Sequence, residues 1–243
     1  KKLSELIKPD LAIITAVEQS HLQGLKDIRN IALAKSEILY SLPKYGCFIF
    51  NKDTNFSQML NDKAIKLKIN NIISYGISDC ANIKLINFKL NNNVYYIKAN
   101  CFEKIIEWEM PAIGEHWIHN SLSIIAAGIY YDLDMNSILA GLRSFKLPLG
   151  RGNIIKLSIT GNSFWVIDDS YNSNPASLSA SLKRLAEINN KGKKIVVLGD
   201  MLELGEKSLD FHKSFKMQIE TGQINVLFTT GQYMKELYKI IDN

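Results

Sequence analysis

The chain has 243 residues, of which 47% are hydrophobic, 22% charged and 9% aromatic. That supplies one large core or two ordinary ones, and excludes a disordered, collagen-like or low-complexity chain. The formal net charge is +5, but the lysines are spread among Asn and Ile, as in Lys66 to Ile73, which describes solvated faces and not a nucleic-acid footprint.

No apolar run reaches the eighteen or so residues of a membrane helix. The longest surrounds Ile124 to Tyr131. The first residues carry no signal-peptide block and no methionine, so the natural start is not expected at Lys1. Cys47, Cys80 and Cys101 are odd in number and far apart. They form neither a CxxC pair nor a disulfide framework, and they point to a reducing cytoplasm.

In chain order, Leu11 to Thr15 reads as a buried strand and Ile28 to Tyr40 as an amphipathic helix, with Ile31, Ala34 and Ile38 at helical spacing. Cys47 to Phe50 and Ile72 to Tyr75 are short strands. Ile83 to Lys89 and Val94 to Ala99 flank Asn91-Asn92-Asn93 as a hairpin. Helices follow over His119 to Tyr131 and Met135 to Phe145, the second capped from Asp134. Lys146-Leu-Pro-Leu-Gly150-Arg151-Gly152 breaks the helical period and reads as a linker.

A second alternation then begins. Ser163 to Asp168 is a strand, and Pro175 to Asn189 a helix opened by Asn174 and Pro175 as cap and first residue. Lys194 to Leu198 is a strand, Leu209 to Glu220 a helix, Val226 to Thr229 a strand and Tyr233 to Ile241 a helix. Strands and helices alternating in this way predict α/β architecture built from βαβ units, with a parallel sheet.

Ligands bind open parallel sheets at the carboxyl ends of strands. Three such ends are dense in polar residues: Glu18 to His21, Asp168 to Asn174, and Gly199 to Glu206. Carboxylates placed there can hold Mg²⁺ or a ribose hydroxyl. No GxxxxGK[ST] loop, GxGxxG turn, GxSxG elbow or HExxH pair occurs. With four histidines in all, a zinc site or a histidine triad is not expected, and His116 and His119 read as surface or cap residues.

The run Ile167-Asp-Asp-Ser-Tyr-Asn-Ser-Asn-Pro175, together with Val197-Leu-Gly-Asp-Met-Leu-Glu-Leu-Gly205, resembles the C-terminal domain of the Mur ligases. Lys8 to Thr15 with His21-Leu-Gln-Gly24 resembles their central domain. So do Ala34-Lys35-Ser-Glu37-Ile38, and Gly114-Glu-His116 with Asn120. Leu147-Pro-Leu-Gly-Arg151 resembles the arginine hinge between the domains. The resemblance implies part of a central ATP-binding α/β domain over residues 1–148, then a Rossmann-like C-terminal α/β domain over 149–243. It also implies that the phosphate loop lies before Lys1 and the last segment beyond Asn243.

The activity implied is ATP-dependent amide ligation in peptidoglycan precursor synthesis. ATP phosphorylates the carboxylate of a UDP-linked muramoyl tripeptide, and the amine of D-alanyl-D-alanine displaces the phosphate. A carboxylate is a poor electrophile until phosphorylated, and the acyl phosphate must be kept from water. Mg²⁺ offsets the crowded negative charge. The protein is expected to be a cytoplasmic monomer with small-molecule substrates and no nucleic-acid or membrane partner.

Carried over residue by residue, His21 and Lys35 would bind metal, Lys35 as a carbamate formed with CO2. Lys35, His21 and Arg151 would be catalytic. Asn120, Arg151, Asp169 and Tyr171 would meet the nucleotide. Asn172, Asn174, Asp200, Glu203 and His212 would serve the peptide substrates. The family usually has Thr-Asn-Ile-Gly-Glu-Ala-His where this chain has Thr15-Ala-Val-Glu-Gln-Ser-His21, and His-Asn where it has His116-Trp117. Two other readings stand beside this one: a non-catalytic remnant that binds nucleotide or a partner, and a sister ligase such as another Mur ligase or a folylpolyglutamate synthase.

Overall fold

The structure, a computed structural model, describes residues 2–18, 22–92, 94–111, 114–188 and 192–241. The chain divides into two compact units. One comprises Lys1–Val17 with Ala32–Lys146, the other Glu18–Ile31 with Leu147–Asn243. The short segment after the first strand is thus grouped with the later half of the chain.

The chain opens with α1 (Lys2–Ile7), β1 (Leu11–Ile14), α2 (Leu22–Leu25) and α3 (Ile28–Lys35), then β2 (Cys47–Asn51), α4 (Ser57–Lys66) and β3 (Asn71–Gly76). A meander of β4 (Ile83–Asn91), β5 (Val94–Cys101) and β6 (Lys104–Pro111) leads to α5 (Glu115–Tyr130) and α6 (Met135–Arg143). The first unit is built on a six-stranded sheet in the order β1-β2-β3-β4-β5-β6. The pairs from β1 to β4 are parallel, and β4, β5 and β6 pair antiparallel.

Cys47, Phe48, Ile49 and Phe50 are all buried, as expected of an unbroken apolar run in a strand covered on both faces. Helix α5 lays Ile118, Leu122, Ile125 and Ala126 into the same core as Ile97, Trp108 and Met110. The Trp108 indole N–H donates to Ser121 Oγ at 3.2 Å, which satisfies a polar atom that burial would otherwise penalise.

The predicted helix over Ile28 to Tyr40 ends as a helix at Lys35 and continues as a 3-10 turn over Ser36–Ser41. Side chains cause the change. Ser36 Oγ donates to Leu33 O at 2.6 Å and accepts from Lys63 Nζ at 2.8 Å, and Ser4 Oγ donates to Glu37 O at 3.2 Å. Such bonds compete with the helical ladder and tighten it. Helices α1, α2 and α4 and strand β6 were not predicted. The hairpin's Asn93 lies outside the described residues.

The second unit holds β7 (Asn153–Ile159), β8 (Asn162–Asp168), α7 (Pro175–Glu187), β9 (Ile195–Gly199), α8 (Ser208–Lys213), α9 (Lys216–Thr221), β10 (Val226–Thr230) and α10 (Gln232–Tyr238). Strand β8 departs from the expected parallel sheet. It pairs antiparallel with β7 in a two-stranded hairpin, while β9 and β10 pair parallel. The turn residues Thr160 and Gly161 have φ of 48° and 81°, so the chain reverses at once and β7 becomes the nearest partner. The helix predicted over Leu209 to Glu220 is divided, because Ser214 Oγ bonds back to Phe211 O at 2.7 Å and Phe215 turns into the core.

All three cysteines are free thiols. Burial pushes the Cys47 thiol up to about 12 and that of Cys101 to about 11, while Cys80 is exposed. A thiol reagent near pH ~8 is therefore expected to label Cys80 promptly and the other two only on unfolding. Fast labelling of all three in the native protein would contradict this packing.

Candidate functional site

In the first unit, Lys35 is the exposed last residue of α3. It stands on a fixed base, since the next residue, Ser36, is wholly buried and bonded on two sides. Asn120 is half-buried in the second turn of α5. Trp117, where the family usually has Asn, packs its ring 5.0 Å from that of Phe145. It therefore fills the space between α5 and the residues after α6. His21 lies outside the described residues.

One group at the mouth of this sheet was passed over in the sequence. Asp53, just past β2, accepts the backbone N–H groups of Ile77 at 2.8 Å and Ser78 at 3.0 Å. It thereby closes the loop after β3. Tyr75, wholly buried beneath it, has its phenol raised by burial first and by Asp53 second. The strand-end rule applied elsewhere would have found Asp53, because Asn51-Lys52-Asp53 follows directly on the strand predicted over Cys47 to Phe50.

In the second unit the structure brings Arg151, Tyr171 and the end of β8 together. Gly152 N–H donates to Asp168 O at 2.7 Å, and Tyr171 N–H donates to Gly150 O at 3.1 Å. Two backbone bonds thus bind the linker to the strand end. Gly150 has φ 74°, and a Cβ there would stand 2.9 Å from Tyr171 N, so only glycine permits this approach. The Arg151 guanidinium carbon lies 4.3 Å from the centroid of the Tyr171 ring. Both residues are exposed, and the stack holds a planar cation in place with its donors facing solvent.

Asp169 is exposed and accepts from Ser181 Oγ on α7. Asn172 is exposed and bonds the following N–H. Asn174 caps α7, accepting from Ser177 N–H at 2.9 Å, with Ser177 Oγ in turn accepting from Asn174 N–H. That reciprocal cap contributes about 1 kcal/mol to the helix, so the side chain of Asn174 is a structural part of the loop.

Asp200 and His212 form a separate group at the end of β9. Asp200 accepts Tyr233 N–H at 3.2 Å and Met234 N–H at 2.7 Å. The His212 ring is fully buried. Its Nε2 accepts Met201 N–H at 2.9 Å, which leaves Nδ1–H to donate to Ser208 O at 2.6 Å. A substrate contact was expected of His212, but both ring nitrogens serve the backbone. It acts through the loop it holds. Glu203 is exposed on that loop with φ 61°. Asn120 and Lys35 belong to the first unit, and Arg151, Asp169, Tyr171, Asp200, Glu203 and His212 to the second.

Comparison with known proteins gives matches across nearly the whole chain. Residues 1–128 match the family model of the Mur ligase middle domain, and residues 150–242 that of the Mur ligase, glutamate ligase domain. The UDP-N-acetylmuramoyl-tripeptide–D-alanyl-D-alanine ligase of Buchnera aphidicola subsp. Baizongia pistaciae is 32% identical over 234 residues, covering 96% of this chain and 49% of that protein. The Bacillus subtilis ligase of the same name is 31% identical over 230 residues, covering 95% and 48%. The chain therefore spans about half the length of the curated relatives it matches. Among solved structures, a MurF crystal structure from Acinetobacter baumannii aligns with TM-score 0.83 at 24% identity, over 97% of this chain and 50% of that one. MurF from Thermotoga maritima in complex with ADP aligns with TM-score 0.79 at 19% identity, over 97% and 52%. Both share the fold.

Proposed function

Since the chain belongs to the Mur ligase family, its middle-domain match alone covering 128 of 243 residues, we propose that it serves an ATP-dependent ligase joining D-alanyl-D-alanine to a UDP-linked muramoyl tripeptide. The observation that carries the reading is the exposed Arg151–Tyr171 stack, clasped by glycines to the end of β8. It supplies a preorganised cation for ATP phosphate where a strand-end site is expected. Under the same reading, residues 1–148 are the central domain and 149–243 the C-terminal domain, working in the cytoplasm as a monomer. The described residues contain no helix long and apolar enough to cross a membrane.

The residues then divide the work. Asn120, half-buried on α5, can both donate to and accept from the edge of adenine. Arg151 orients the phosphates. Asp169, fixed by Ser181, meets the ribose, and Asn172 faces the peptide. The described residues hold no cluster of three His, Cys, Asp or Glu. Mg²⁺ keeps several waters and takes one or two protein oxygens besides the substrate phosphates. Lys35, once carbamylated, offers such an oxygen at an exposed position, and His21 is the second ligand under this reading. Bound there, Mg²⁺ would offset the negative charge that gathers as carboxylate and triphosphate meet.

The test is phosphate release from ATP by the full-length protein, expected to require both the UDP-linked tripeptide and D-alanyl-D-alanine. Turnover with glutamate or a single amino acid in place of the dipeptide would transfer the protein to a sister activity. Arg151→Ala is expected to raise the KM for ATP about tenfold while the melting temperature hardly moves, because an exposed cation–π pair contributes only ~0.5–1 kcal/mol.

A further inference from the structure

A cavity of about 440 Å³ lies on the face of β4, β5 and β6 that turns away from the core, and none of its lining residues takes part in the ligase reading. That size lies within the ~300–1,000 Å³ usual for small-ligand sites. Its polar lining forms two rows across the three strands. Asn87 stands opposite Lys98, and Lys98 opposite Glu107. Lys89 stands opposite Tyr96, and Tyr96 opposite Glu109.

A β-bulge places the first member of each row. The pairing of β4 with β5 slips by one residue between Leu85 and Asn87. In an unbroken ladder Asn87 would stand opposite Ile97 and Lys89 opposite Tyr95, and both of those partners belong to the core. The extra residue, Ile86, reverses the alternation. Phe88 now stands opposite Ile97 and packs edge-on against Tyr95, with ring centroids 5.7 Å apart. Asn87 and Lys89 turn to the cavity instead.

The carboxylates of this cavity are already engaged. Glu107 Oε1 lies 2.7 Å from Lys98 Nζ, and Glu109 Oε2 lies 3.3 Å from Arg143 Nε. The donors are not. Among the described residues, no hydrogen bond or ion pair holds the side chains of Asn87, Lys89 or Tyr96. One ammonium, one amide and one phenol thus line the same space with nothing to bind, and all three can donate. We propose that the cavity binds a small molecule through a phosphate or carboxylate group, with Lys89, Asn87 and the Tyr96 hydroxyl as its donors. The Tyr96 ring, 44% exposed, receives the body of that molecule. A cationic ligand would find both carboxylates occupied. This binding is independent of the ligase reading.

Phenyl phosphate and benzoate, titrated separately into the full-length protein by calorimetry, test this. At least one is expected to bind with a Kd of about 1 mM or below. Lys89→Met is expected to weaken that binding about tenfold, the scale of a lost hydrogen bond to a charged group. Lys104→Met removes an exposed lysine of β6 outside the cavity, and should leave the affinity within about twofold. Both lysines are exposed, so neither change disturbs the fold, and an unmoved melting temperature checks this. The tighter probe identifies the group, phenyl phosphate a phosphate and benzoate a carboxylate. Binding of neither probe, or equal affinity in Lys89→Met and the unaltered protein, would overturn the site. Equal weakening by Lys104→Met would overturn it too, since a diffuse surface charge would then explain the binding.

Discussion

Lys35→Ala in the full-length protein is expected to lower kcat on the order of a thousandfold, with partial recovery when acetate or formate is added. The amine reacts with CO2 only after losing a proton. The product exchanges a cation for a carboxylate-like group, and a proton is released. Lys35 is exposed, so CO2 and metal can both reach it. The buried Ser36, bonded to Leu33 and Lys63, fixes the backbone from which the side chain extends. Under the proposed reading, removing the side chain would take away an oxygen ligand of the metal, and a small carboxylate in the vacated space would restore part of it. Full activity in the variant would dismiss the carbamate. Reduced activity that added carboxylate never restores would assign Lys35 another part.

The second large effect falls on stability. Gly231→Ala is expected to destabilise the second unit by roughly 3–5 kcal/mol, read as a lower denaturant midpoint. Gly231 has φ 106°, and a Cβ there would run into the Asp200 carboxylate. Two penalties combine: the backbone strain, and displacement of a carboxylate that accepts Tyr233 N–H and Met234 N–H. The loss is a large part of the ~5–15 kcal/mol that holds a typical domain folded. The first unit repeats the device, since a Cβ on Gly76 would run into Asp53, which accepts Ile77 N–H and Ser78 N–H. An alanine at Gly231 that left the midpoint unchanged would mean that Asp200 does not organise this loop.

Much of the architecture was legible because parallel strands write themselves as apolar runs. Cys47 to Phe50 and Lys194 to Leu198 could hardly be read otherwise, and Asn174-Pro175 announced its helix. Strand β6 was legible too, since Ile106, Trp108 and Met110 alternate with Glu107 and Glu109; the aromatic and acidic residues obscured an ordinary period of two. Helix α4 buries only Leu60 and Ala64, too narrow a stripe to notice. The end of the helix at Lys35 was hidden for another reason: it depends on Ser4 and Lys63, residues remote in sequence. For the candidate site, the motifs supplied residue types in order. They could not distinguish a side chain that faces a ligand from one that holds a loop. His212 and Asn174 carry the polar chemistry of a binding site and use it on the backbone, which becomes visible only when each nitrogen and oxygen is accounted for.

The strand order of the first unit also bears on how it assembles. Every strand in that sheet lies beside the one made just before it, from β1 through β6. Among β1 to β6, no strand waits for a partner synthesised later, and none must slip between two of the others already joined. Loop-closure costs therefore stay small throughout, and the sheet can lengthen one edge at a time as the chain leaves the ribosome. The cost falls on the growing edge, which exposes unpaired backbone until its neighbour arrives. A pause in translation when β3 has emerged and β4 has not would leave β3 as that edge, with β2 and its buried phenylalanines already in place behind it.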